Sequence, residues 1–229
     1  MSDGPRMEHE PDGEFAARLR GWGPLGMLAT ALVLAGNYLF TPLSALLALA
    51  WAWTSRTPPR EMGFVRPRSW IRTLLGGIAF GIALKLLMKA IVMPLLGAPP
   101  INAAFHYLVN NPGALPDILY VVLVGAAFGE EVVFRGFAFA RLRQLLGQSA
   151  GASAFIVLFT ATWFGLVHYP LQGIAGVEQA FLVGLIFGSI FAVRGCIWFV
   201  MFAHAAFDLT AVAIIYLDLE TAVAHFILK

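Results

Sequence analysis

The sequence predicts an all-α protein, a polytopic membrane helix bundle of about six to eight transmembrane helices around an intramembrane polar cavity. Three observations point there. Of 229 residues, 59% are hydrophobic and only 12% charged, against roughly 45–50% and about 25% in a soluble domain. Apolar stretches recur at the length of about 20 residues that a bilayer core demands of a helix. The few ionisable residues inside them fall at helical spacing, Glu130, Glu131 and Arg135 above all. A charge near the bilayer centre costs on the order of 2.5–3.5 kcal/mol, so such groups mark a functional site or a polar core that needs partners.

Residues 1–23 form an N-terminal segment of their own. Met1 to Glu14 are polar and acidic, without the basic start and short apolar core of a cleavable signal, and are expected to be disordered. Phe15 to Gly23, with Arg18 and Arg20, suit a short interfacial helix. Residues 24–229 read as one transmembrane domain, with candidate spans at 24–53, 71–96, 116–141, 151–169, 174–193 and 196–216. The first is long for one crossing and contains Gly36, Asn37 and Pro42, which fits either a kinked helix or a broken pair. Gly97 to Leu115, rich in Pro and Asn, reads as an interfacial segment, and Leu217 to Leu228 as an apolar tail too short to cross. No internal repeat is evident. The single Cys196 excludes an intrachain disulfide and a multi-cysteine metal site.

Arginines cluster at Arg56, Arg60, Arg66, Arg68 and Arg72, again at Arg141 and Arg143, and once at Arg194, whereas 97–115 and 170–173 hold no Lys or Arg. Cytoplasmic loops carry the Lys/Arg excess, so 54–72, 142–150 and 194–195 are expected to face the cytoplasm. Arg6, Arg18 and Arg20 would draw the N-terminus to that side too, in conflict with an odd number of crossings before residue 54. Arg outnumbers Lys by 12 to 3 beside abundant Gly and Ala. That bias suggests a GC-rich bacterial genome, and with it a multi-pass protein of the bacterial inner membrane. The net charge of +2 gives no ground for nucleic acid as a partner.

Two further spans carry ionisable residues. Phe164 and His168 stand at i and i+4, as do His204 and Asp208, so each pair shares one helix face. Glu131 and Arg135 have the same spacing with the acid N-terminal, the favourable order for an ion pair. Glu130 is turned by about 100° from Glu131, so the two acids need not do one job. Counting about 1.5 Å per residue from each cytoplasmic helix end, His204 lies near 12 Å, Glu130 near 16 Å, Asp208 near 18 Å and His168 near 25 Å. With tilt absorbing the spread, all three constellations meet in the middle third of the membrane.

In this order, Glu130-Glu131…Arg135, Phe164…His168 and His204…Asp208 resemble the E-E-x-x-x-R, F-x-x-x-H and H-x-x-x-N/D motifs of the CPBP family. That family comprises the CAAX prenyl endopeptidases with their bacterial, bacteriocin-processing and abortive-infection relatives. The resemblance covers Leu115 to Leu217; the N-terminal half shares only its hydrophobicity. It implies a glutamate-dependent intramembrane endopeptidase, free of metal and cofactor, with its catalytic core at about 115–217. It implies that Glu130 and His168 activate the attacking water, Glu130 as general base, and that His204 and Asp208 stabilise the oxyanion. Glu131 and Arg135 would organise the site, with Phe164 as a packing residue there or a wall of the substrate cleft. The prenyl endopeptidases usually carry Asn at the position of Asp208. An ionised Asp only accepts hydrogen bonds, so Asp208 either acts while protonated or orients His204 and keeps it cationic.

The partners implied are the lipid bilayer and a membrane-anchored protein or hydrophobic peptide, such as a bacteriocin leader, a sorting tail or a regulatory membrane protein. Two other classes use the same residues: a non-catalytic immunity or scaffold protein that binds a peptide, and a proton-relay transporter. The absence of a second matching half argues against a repeat-built transporter. Glu130, His168 and His204 are zinc ligands by type, but no H-E-x-x-H helix is present, and no metal is expected. Outside the motifs, Lys85 and Lys89 share a face of span 71–96. The favoured expectation is that they snorkel toward the outer side; the alternative is that they line the cavity or neutralise a substrate carboxylate. His9, His106 and His225 are expected at the surface.

Overall fold

The computed structural model describes residues 11–227, and among these every regular element is helical. The chain runs through α1 (Pro11–Arg20), α2 (Pro24–Leu39), α3 (Thr41–Thr54), α4 (Trp70–Leu95), α5 (115–146), α6 (Ala150–Val167), α7 (Tyr169–Arg194), α8 (Ile197–Tyr216) and α9 (Glu220–Ala224). Four of them, α4, α6, α7 and α8, are long and apolar enough to cross a membrane. The expected polytopic helix bundle is what the chain forms. Large apolar side chains such as Ile71, Leu75, Phe155 and Leu158 point outward, as a bundle bathed in lipid requires.

Helix α1 begins inside the stretch expected to be disordered. Pro11 stands at its start, a position where a missing N–H costs nothing, and Arg18 donates to Glu14 at 2.6 Å one turn earlier. Residues 1–10, His9 among them, lie outside the described residues.

The long first stretch is a broken pair. Phe40 is extended at φ −166°, and Pro42 falls in the first turn of α3. The helices fold back on each other through Ser44, whose hydroxyl donates to the Val33 carbonyl at 2.6 Å. Trp51 Nε1 then donates to the Leu19 carbonyl at 3.1 Å, and Arg20 pairs with Glu61 at 2.6 Å. The hairpin therefore enters and leaves on one side, which removes the conflict over the N-terminus. Ile197 N donates to the Gly63 carbonyl at 2.9 Å, and Arg141 donates to the Arg20 carbonyl. All three arginine-bearing loops thus share one face of the bundle.

Two contacts fix the depth of the three motifs. Helix α4 crosses α8 at Gly77 and Gly81, a small-xxx-small pair that lets backbones approach closely. A Cβ at Gly81 would sit 2.1 Å from the Ala203 carbonyl oxygen, and one at Gly77 3.0 Å from that of Phe199. Only glycine fits there, and the crossing seats His204 in the bundle. Helices α6 and α7 form an antiparallel pair that turns at His168. Gly173, at φ +62° in the left-handed region, kinks α7 just after the turn. Helix α5 is π-helical over Val121–Glu130 and again over Val132–Ala138. Such i→i+5 winding is rare and frequently marks functional sites.

Candidate active site

Glu130 and Glu131 leave α5 in different directions. Glu131 is fully buried, and its Oε1 accepts from Arg135 Nη1 at 2.8 Å and from His204 Nδ1 at 2.8 Å. Its Oε2 is buried without a partner. Glu130 instead faces a cavity of about 570 Å³, where its Oε2 lies 3.7 Å from His204 Nε2. One acid locks the helices together and the other is presented to the cavity.

His204 is held from both sides. With Nδ1 committed to Glu131, its Nε2 points between Glu130 and Asp208 Oδ2, the latter 3.4 Å away. Both carboxylates can accept a proton shared from Nε2, and neither is in full hydrogen-bond contact. Phe164 and Phe187 pack against the imidazole, with ring centroids at 6.1 and 5.5 Å. The same two rings flank Arg135, whose guanidinium carbon is 4.9 Å from Phe164 and 5.7 Å from Phe187. Arg135 Nη2 reaches the Gly184 carbonyl at 3.5 Å. Phe164 is 2% exposed and lines the cavity.

His168 lines the same cavity from the end of α6. Its Nδ1 is 2.7 Å from the Phe164 carbonyl oxygen. A carbonyl only accepts, so Nδ1 carries the hydrogen, and a neutral His168 keeps Nε2 as its acceptor nitrogen. The structure therefore brings Glu130, His168, His204 and Asp208 to one cavity, with Glu131, Arg135 and Phe164 packed behind them. Among the described residues no group of three or more His, Cys, Asp or Glu side chains is arranged to hold a metal ion.

Comparison with known proteins bears on this constellation. Residues 112–210 match the Rce1-like family of type II CAAX prenyl endopeptidases. Over that segment the resemblance read from the three motifs holds. No curated protein and no solved structure matches the chain. The Rce1-like segment spans α5 to most of α8, and so carries all seven motif residues.

Most of the second polar cluster, Lys85, Lys89 and Glu220, lies outside that segment, and Gln179 lies within it. Lys85 and Lys89 do not snorkel away. Lys85 is 8% exposed and donates to Gln179 Oε1 at 3.2 Å, while Lys89 pairs with Glu220 at 3.0 Å and donates to the Pro100 carbonyl. Both line the cavity. Their i, i+4 spacing was the available signal for a shared face; nothing local marked Gln179 or Glu220 as the partners that turn that face inward. His106, expected at the surface, is half-exposed there and lies 3.8 Å from Glu220.

Proposed function

We propose that this Rce1-like protein is a glutamate-dependent intramembrane endopeptidase that hydrolyses a peptide bond of a membrane-anchored or hydrophobic substrate. One observation carries the reading. Glu130 and His168 line one cavity as proton acceptors, and His204, whose Nε2 lies 3.7 Å from Glu130 Oε2, offers a donor beside Glu130. A water there donates one hydrogen to Glu130 and the other to His168 Nε2. Glu130 takes the first proton as the oxygen attacks the scissile carbonyl carbon, the role of a positioned general base. The carbonyl π pair moves onto oxygen, and His204 Nε2–H donates to the oxyanion. Protonated Glu130 then delivers its proton to the leaving nitrogen as the C–N bond breaks and the carbonyl reforms.

Asp208 acts through His204 in this scheme. Its Oδ2 lies 3.4 Å from Nε2, where the carboxylate orients the imidazole. Glu131 does the same at Nδ1, and Arg135 offsets the charge of Glu131. A donor preset toward developing negative charge is commonly the largest single contribution to catalysis, worth roughly 10²–10³ in kcat for one lost donor.

The test is cleavage of membrane-anchored peptides by purified protein, wild type against Glu130→Gln, with and without a chelator. Cleavage is expected in wild type irrespective of chelator and absent in the variant. Loss with chelator would replace the glutamate reading by a metal one. Peptide binding without cleavage by either protein would establish a binding module instead.

A further inference from the structure

The two cavity lysines of α4 are not answered alike. Lys89 meets the carboxylate of Glu220 at 3.0 Å, and the same oxygen accepts from Asn102 N at 3.0 Å, so this pair ties α4, α9 and the 97–115 segment together. Lys85 stands one turn earlier on the same face. It is nine-tenths buried, and among the described residues no carboxylate pairs with it. Its ammonium donates to the neutral amide of Gln179 at 3.2 Å and lies 4.6 Å from the centroid of the Phe207 ring. An ammonium has three hydrogens to give, and the amide takes one. A buried cation whose direct contacts are all neutral, with the carboxylates of Asp208 and Glu220 acting only from beyond contact distance, is costly in a protein interior, and far more so in lipid.

Its place in the cavity shows what would relieve that cost. Phe207 directly precedes Asp208 and follows His204 by one turn on α8. Lys85 therefore projects into the cavity beside the proposed chemistry but outside it, touching none of the residues that handle the water. A cavity of about 570 Å³ is of a size that encloses a small ligand or a short chain segment. Any carboxylate carried in by such a segment needs a cation, because burying it unpaired is prohibitive.

We propose that Lys85, steadied by Gln179, is a specificity site that receives a carboxylate of the bound peptide. This rests on the peptidase reading for its meaning, though not for its test. The carboxylate is either the chain end of the peptide or an Asp or Glu side chain within it, and the two sources are separable.

The experiment measures binding rather than cleavage. One fluorescent apolar peptide is made in four forms, with a free or an amidated chain end and with Glu or Gln near that end. Each is titrated into the full chain in lipid nanodiscs, with Glu130 intact and as Glu130→Gln. One carboxylate-bearing form is expected to bind roughly ten- to hundredfold tighter than its neutral twin, the range of a charged hydrogen bond. That preference should fall toward one in Lys85→Gln and return in part in Lys85→Arg. Dependence on the chain end or on the side chain identifies the source. Equal binding of all four forms by wild type, binding of none, or a preference that survives Lys85→Gln overturns the proposal. A Lys85-dependent preference without any cleavage would leave the receptor standing and remove the peptidase reading.

Discussion

Arg135 and Arg141 stand on the same helix, are both buried, and are both clasped between two aromatic rings, yet they are neutralised in opposite ways. Arg135 lies between Phe164 and Phe187 and meets a carboxylate, Glu131, at 2.8 Å. Arg141 lies 4.2 Å from Trp22 and 5.4 Å from Trp51 and meets no carboxylate among the described residues. It donates instead to the carbonyls of Arg20, Gly21 and Gly26, to the hydroxyl of Thr30 and to the amide of Gln144. Two of those carbonyls belong to the C-terminal end of α1, where backbone oxygens lack helical partners and the helix dipole is negative. At the bundle face, orphan carbonyls are enough to hold a guanidinium. About 9 Å deeper along the helix Arg135 reaches one carbonyl, that of Gly184 at 3.5 Å, and its charge is met by an acid. That acid in turn holds His204. The same residue type is a fastener at one depth and, at the other, part of the hydrogen-bond network that holds His204.

The largest expected effect comes from breaking the deeper pair. Arg135→Met strands the Glu131 carboxylate in a fully buried position, which typically costs about 3–5 kcal/mol. Thermal unfolding in nanodiscs should show that loss, and peptide cleavage should disappear with it. Adding Glu131→Gln to Arg135→Met should restore much of the stability, since both charges are then gone, but not the cleavage, since His204 has lost its anchor. A double variant as unstable as the single one would mean that the pair does not govern this part of the core.

Arg141→Met should cost somewhat less, about 2–4 kcal/mol, because it removes hydrogen bonds from carbonyls that water at the membrane face can partly reach. Its signature is a lower unfolding temperature with cleavage per folded molecule retained. Loss of cleavage comparable to that of the Arg135 variant would erase the distinction between the two arginines.

This contrast was only half legible in the sequence. Glu131 and Arg135 announce themselves, because opposite charges inside an apolar stretch are too costly to leave apart and i, i+4 spacing lets them pair. The His168 and His204 motifs were located by the same logic. Arg141 read as a basic residue at the cytoplasmic end of the span 116–141. Its partners are backbone carbonyls more than 100 residues earlier, and a carbonyl has no sequence signature. The break at Phe40 was one of two open readings of Gly36, Asn37 and Pro42, decided by the Ser44–Val33 contact rather than by any local residue. The inward turn of Lys85 was likewise hidden, because its partner Gln179 lies on a helix whose other polar residues carry no motif. Local spacing reveals which residues share a face. Which neighbour that face meets is set by long-range packing, here by the glycine crossing of α4 and α8.

The smallest expected effect tests whether the Arg141 cradle acts as a unit. Thr30 Oγ1 accepts from Arg141 Nε at 3.1 Å and donates to the Gly26 carbonyl at 2.9 Å, so it joins the guanidinium to the first turns of α2. Thr30→Val keeps the shape and removes both bonds, for a loss of about 1 kcal/mol. Most of that loss should vanish when the same substitution is made in Arg141→Met, because the hydroxyl then has no guanidinium to hold. Groups in one hydrogen-bond network show such coupling, whereas independent sites add. If the two losses simply add, Thr30 stabilises α2 alone, and the cradle reduces to a set of separate carbonyl contacts that happen to converge on one arginine.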